Sequence, residues 1–261
     1  TDAVVTSPSG NYDIVPSNGN LAAANYSFNF VKGILTVGKG NLIVTAENKS
    51  RAYGAADPVF TIKFSGFVSG DSVQNSGITG APAFTTSATS KSSPGNYTIT
   101  PALGTLQSDK YNFTFATGTL AVTKANLTVK ANDITRAYGE SNGTLGVTYD
   151  GFGAGESLGT SDVKGTPSVT TTASSASTVG SYAITVGAGG LTSANYNFVF
   201  VNGSLNIQKA LLTVTAESKS RRYGSANPTL TYRISGYKNN DSLSAGAVTG
   251  APVLSTSADS T

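Results

Sequence analysis

Apolar and polar side chains alternate along most of this chain, and no apolar stripe of helical spacing runs longer than a turn. Between residues 41 and 125 the alternating stretches are 42–47, 60–67, 83–89, 97–101, 111–116 and 119–123. Each is rich in Val, Thr, Ile, Tyr or Phe and is bounded by Gly, Pro, Asn, Asp or Ser, the composition of short strands between turns. The pattern predicts a small all-β unit. Residues 196–201, then Asn202-Gly203, then 204–207 read as a β-hairpin, because Asn-Gly supplies the positive φ angles of a tight type I′ turn. Gly70-Asp71 and Asn240-Asp241 mark a further turn, and Asp57-Pro58 and Asn227-Pro228 another. Tyr111, Phe113 and Phe115 fall on one face of their strand, which assigns them to the core.

The pattern also recurs. Tyr53-Gly54, Tyr138-Gly139 and Tyr223-Gly224 lie 85 residues apart, and the same step separates Arg51, Arg136 and Arg221; Pro82, Pro167 and Pro252; Tyr12, Tyr97 and Tyr182; and Lys39, Lys124 and Lys209. A fixed period without insertions is the signature of a repeat array and overrides any domain count taken from length. With a repeat starting at Asn41, the chain divides into 1–40, the C-terminal part of a repeat; 41–125 and 126–210, two complete repeats; and 211–261, the N-terminal part of a repeat. Residues 1–6 are equivalent to 256–261, and the chain is expected to be a mature or excised piece of something longer.

At the junction between copies the apolar positions change parity, from Leu120 and Val122 to Leu127, Val129 and Ala131, across Lys124-Ala125-Asn126 and with no turn residue. A strand that stays extended while its buried face flips leaves one core and enters the next. This reading gives short, stiff connections and an elongated rod, each module adding roughly 30–40 Å. A competing frame places the linkers in the Ser/Thr-rich stretches 85–95 and 170–180. The predicted fold is therefore a tandem array of small immunoglobulin-like β-sandwich modules. β-Grasp-like modules are the alternative, although that fold needs a crossing helix and only 70–76 offers a turn of one.

Composition narrows the chemistry. The 261 residues include no His, Cys, Met or Trp, and only 12% are charged. Imidazole bases, thiolate nucleophiles, Cys/His zinc sites and disulfides are thereby excluded, and no enzyme activity, cofactor or metal is expected. The net charge of +3 is spread thinly, without a basic run, which speaks against nucleic acid as a partner. No run of 18 apolar residues is present, so no membrane-spanning helix is expected in this segment.

The ordered words Arg-Ala-Tyr-Gly, Ser-Gly-Phe-Val-Ser-Gly-Asp-Ser, Gly-Asn-Tyr-Thr-Ile, Tyr-Asn-Phe-Thr-Phe and Gly-Thr-Leu-Ala-Val-Thr-Lys-Ala follow one another at constant spacing. In this the repeat resembles the MBG domain of the YGX type, over essentially the whole chain. The resemblance implies a tandem array in a large secreted or surface-anchored bacterial protein, an adhesin or biofilm-matrix protein, and hence an extracellular stalk or spacer. It defines no sugar site. The second copy departs from the pattern at Asn142-Gly143, which replace Asp57-Pro58, and at Glu156, which replaces Asp71.

The pairs Arg51 and Tyr53, Arg136 and Tyr138, and Arg221 and Tyr223 are the candidate site. Tyrosine stacks on sugar faces and arginine donates paired hydrogen bonds, so the repeated pair suits a multivalent, low-affinity surface for mucin or exopolysaccharide. The structural alternative is a buried tyrosine whose hydroxyl caps a neighbouring backbone group before a glycine turn. Asp71, Glu156 and Asp241 are too isolated for the six to eight oxygens of a Ca²⁺ site and are assigned to capping their own turns. Expected partners are neighbouring repeats of the same protein. A third reading, head-to-tail self-association into an extracellular fibre, follows from the complementary halves of a repeat at the two ends.

Overall fold

A computed structural model describes residues 1–5, 7–68 and 70–258. Thr6, Ser69 of the Ser-Gly-Phe-Val-Ser-Gly-Asp-Ser word and the last three residues of segment 211–261 lie outside the described residues. Among the described residues there are 18 strands and no helix. They gather into two units. The first is Thr1–Ala125 with Gly153–Gly159 and Ala194–Tyr196, and the second is Asn126–Phe152 with Thr160–Ser193 and Asn197–Thr261.

The first unit opens with β1 (Gly10–Ile14) and β2 (Gly33–Val37), an antiparallel pair. Seven strands follow: β3 (Gly40–Ala46), β4 (Lys49–Ala52), β5 (Ile62–Ser65), β6 (Ala83–Thr85), β7 (Gly95–Ala102), β8 (Tyr111–Ala116) and β9 (Gly118–Thr123). They form two sheets, in the orders β5-β3-β8 and β4-β9-β7-β6. Leu42, Val44 and Ala46 of β3 are buried, whereas Asn41 before them and Ile43 between them are exposed, the alternation of a strand with one face on a core. Opposite lie Ile99 of β7 and Leu120 and Val122 of β9, so the two sheets sandwich one apolar layer. Fully burying each such side chain contributes about 1.5–3 kcal/mol.

A second sandwich repeats the plan with β10 (Ala125–Ala131), β11 (Ile134–Ala137), β12 (Val147–Asp150), β13 (Ser168–Thr171), β14 (Gly180–Gly187), β15 (Tyr196–Val201) and β16 (Gly203–Gln208), all in the second unit except Ala125 and Tyr196. Its sheets are ordered β12-β10-β15 and β11-β16-β14-β13. An antiparallel pair follows, β17 (Thr213–Ala216) and β18 (Tyr232–Ser235).

Parallel pairings join strands far apart in sequence, β3 with β8 and β4 with β9 in the first sandwich and β11 with β16 in the second. The β4 strand and its equivalent β11 are Lys-Ser-Arg-Ala and Ile-Thr-Arg-Ala, too polar and too short to show alternation, and the sequence pattern gave no sign of them. The modules are β-sandwich-like, and segment 70–76 forms a single turn rather than a crossing helix.

The parity change is present: Gly118, Leu120 and Val122 are the buried positions of β9, and Ala125, Leu127, Val129 and Ala131 those of β10. The hairpin expected around Asn202-Gly203 is not. The strands β15 and β16 lie in different sheets, and neither Asn202 nor Gly203 has a positive φ. The chain crosses between layers here instead of folding back. Glycine is required for another reason: a Cβ on Gly203 would lie 2.6 Å from the Ala131 carbonyl oxygen, and one on Gly118 2.5 Å from that of Ala46. The turn expected at Asp57-Pro58 falls earlier, at Tyr53-Gly54, whereas Gly70 and Asn240 do adopt the positive φ of their turn. On β8, Tyr111 is buried, and Phe113 and Phe115 are half-buried.

Candidate functional site

The arginines of the repeated word are braces inside the module. Arg51 lies on β4, whose parallel pairing sets it beside Val122 of β9, and it is 7% exposed. Its Nε donates to Asp57 Oδ1 (2.5 Å), one Nη to the Thr89 carbonyl (2.5 Å) and the other to the Ala52 carbonyl (3.3 Å). Arg136 repeats the arrangement on Asn142 Oδ1 (2.9 Å), the Ser174 carbonyl (2.6 Å) and the Ala137 carbonyl (3.1 Å). A planar guanidinium with donors in a fixed fork holds three acceptors that a single ammonium cannot reach together. The change from Asp57 to Asn142 keeps the acceptor oxygen and loses only the charge. Arg221, half-exposed, bonds Asn227 Oδ1 at 2.7 Å.

These bonds fasten the Ser/Thr-rich stretches to the body of the module. Ala88 and Ala173 are buried, and the hydroxyls of Ser92 and Ser177 each accept a backbone N–H three residues earlier, at 2.9 Å. Neither stretch has the character of a free linker.

The tyrosines differ from copy to copy. Tyr53 is buried, Tyr138 half-buried and Tyr223 exposed. Within the first unit the Tyr53 hydroxyl donates to Glu156 Oε1 at 2.7 Å, and its ring meets that of Tyr196 edge-on, with centroids 5.5 Å apart. The Tyr196 hydroxyl donates to the other oxygen, Glu156 Oε2, at 2.7 Å and accepts the Gly153 N–H at 3.0 Å. Asp71, one step earlier, accepts from the Tyr111 hydroxyl at 2.8 Å and from Lys110 Nζ at 3.4 Å. The carboxylate of this position therefore reaches a distant tyrosine, not its own turn as expected. Its turn is closed by Asn75, which accepts from the Ser72 N–H. Burial pushes the Tyr111 hydroxyl above the ordinary tyrosine range, and the neighbouring Asp71 carboxylate pushes the same way.

Backbone capping belongs to a different tyrosine series. Tyr12, Tyr97 and Tyr182 donate to the carbonyls of Pro8 (2.9 Å), Ser93 (2.8 Å) and Thr178 (3.0 Å), each four residues earlier. Sequence reasoning did not single out Glu156 and Tyr196 as partners of Tyr53. The available signal was the fixed step of Asp71, Glu156 and Asp241 together with that of Tyr111 and Tyr196. Among the described residues no three carboxylates come together as a metal site.

A comparison with curated proteins found no match, and neither did one with solved structures. The family model described as the MBG domain (YGX type) matches residues 42–121, 127–206 and 212–261, which together are most of the chain. The three matched segments begin 85 residues apart, the step of the Tyr-Gly pairs. The chain belongs to the MBG domain family of the YGX type.

Proposed function

We propose that this chain is a spacer in a secreted or cell-surface bacterial protein, an adhesin or biofilm-matrix protein, and that it acts by spanning distance rather than by catalysis. The observation that supports this best is the use the modules make of their own repeated residues. Arg51 and Arg136 hold a loop to a strand, and Tyr97 and Tyr182 cap backbone carbonyls, so constant residues serve constant internal contacts. The pair Arg51 and Tyr53, at 7% and 4% exposure, turns no face to a sugar, which leaves the glycan-binding reading without support there. The location outside a bacterial cell rests on the family resemblance.

Small-angle scattering of the chain in solution tests the spacer role. Three modules in line give a maximum dimension of about 90–120 Å, from about 30–40 Å per module. A radius of gyration of about 18 Å, that of a compact particle of this length, removes the reading.

A further inference from the structure

We propose that the Tyr-Gly pair of each repeat is a latch onto the repeat that follows, with the carboxylate and tyrosine of that next repeat as its socket. Three features carry this. First, Tyr53 and Tyr196 each donate a hydroxyl to one oxygen of Glu156, both at 2.7 Å, and their rings pack edge to face. A carboxylate that accepts two hydroxyl protons makes two charge-assisted bonds, and a buried tyrosine hydroxyl left without a partner is costly.

Second, the glycine of the pair is needed by the same contact. Gly54 has φ of +78°, and a Cβ on it would lie 2.5 Å from Gly153 Cα and 2.7 Å from Ala154 N. In the second unit a Cβ on Gly139 would lie 2.3 Å from Lys238 Cβ. Gly54 and Gly139 are one step of 85 apart, and so are Gly153 and Lys238, so the approach is the same one. Tyr138, Lys238 and Asp241 there border one cavity of about 210 Å³.

Third, the socket is built even apart from Tyr53. Asp71 holds Tyr111 at 2.8 Å, and the Val68 N–H donates to the Tyr111 hydroxyl at 3.3 Å, just as Gly153 N–H does to Tyr196. A contact between successive repeats accounts for the recurrence of Tyr, Gly and a distant Asp or Glu at one step.

The inference does not depend on the spacer reading: a compact particle in scattering would end that reading and leave the latch untouched. Its test is a double-mutant cycle in the whole chain, with Tyr53→Phe, Glu156→Gln and both, followed by denaturant unfolding. Each single change is expected to lower the folded-to-unfolded ratio about 5- to 30-fold. The double variant should then fall short of the product of the two, because both changes weaken the same Tyr53–Glu156 bond. Simple multiplication of the single effects overturns the latch. Hydrogen exchange supplies a second measurement that does not depend on global stability. Tyr53→Phe should speed exchange of the backbone amides of 153–159, in the next repeat. Unchanged exchange there, with exchange altered only around residue 53, also overturns it.

Discussion

The complete copies and the partial ones carry nearly the same side chains at equivalent positions, yet they bury them very differently. Leu120 and Leu205 are fully buried, while Leu35 at the same repeat position is 38% exposed. Val44 and Val129 are fully buried, and Val214 is half exposed. Tyr111 and Tyr196 are in the core, and Tyr26, their equivalent, is 82% exposed. The surviving pairs in the partial copies nevertheless keep the register of the whole module: Gly10 faces Val37 as Gly95 faces Val122, and Thr213 faces Ser235 as Ile43 faces Ser65. Local pairing is thus available to half a repeat, and a closed core is not.

Topology supplies the reason. In each complete copy the first strands pair in parallel with the last, β3 with β8 and β4 with β9, so neither sheet closes until both ends of the repeat are present. A strand deprived of its distant partner keeps only its antiparallel neighbour, as β17 keeps β18. Residues 26–31, which correspond to β8, form no strand at all. Contacts so remote in sequence also imply slow folding, because the loop must close before the contact stabilises anything.

The largest effect separating the two kinds of copy is expected at the central leucine of β3. Leu42→Ala should cost about 2–5 kcal/mol in denaturant unfolding, through lost burial and the cavity it leaves. The matching Leu212→Ala, at a half-buried site, should cost less than about 1 kcal/mol. Equal losses would show that the partial copy closes a core of its own in solution.

A smaller difference should appear at the glycine where the chain changes layers. Gly118→Ala sets a methyl against the Ala46 carbonyl at 2.5 Å and should destabilise by about 1–3 kcal/mol. At Gly33, its equivalent, the nearest atom to such a methyl is the Ile14 Cβ at 3.6 Å. Gly33→Ala should therefore leave the unfolding midpoint within error or raise it slightly. If both substitutions destabilise alike, the close approach is not what the glycine is for.

The smallest expected effect is alkaline. Burial raises the Tyr111 hydroxyl above its ordinary range, so the folded state binds its proton more tightly than the unfolded chain does. Its contribution is complete below the ordinary tyrosine pKa and drains away as pH rises through the raised folded value. Tyr149, raised by burial as well, acts in the same direction. Tyr111→Phe should flatten, without abolishing, the loss of stability between neutral and strongly alkaline pH. An unchanged slope in a pH series of unfolding curves would contradict the assignment.

Much of this fold was legible because strand pattern is local. The stretches 111–116 and 119–123 match β8 and β9 closely, and the parity change across Lys124 is visible in the residues alone. The polar strand carrying Arg51 was not legible, since its pairing comes from β9, some seventy residues on, and not from its own alternation. Asn202-Gly203 misled for a related reason. Asn-Gly is a turn signal only when the strands on either side can pair with each other, and here each already has partners in a separate sheet.

The amino-acid sequence by itself determined the all-β class, the 85-residue step, the alternating core positions and the absence of imidazole and thiol chemistry, because each is a matter of residue type and short spacing. Tertiary structure alone decided that Arg51 braces the loop at Thr89, that Glu156 receives both Tyr53 and Tyr196, and that Gly118 is needed for close approach rather than for a turn. Those outcomes depend on which strands lie side by side, and parallel pairing across a whole repeat fixes that only once the chain has closed on itself.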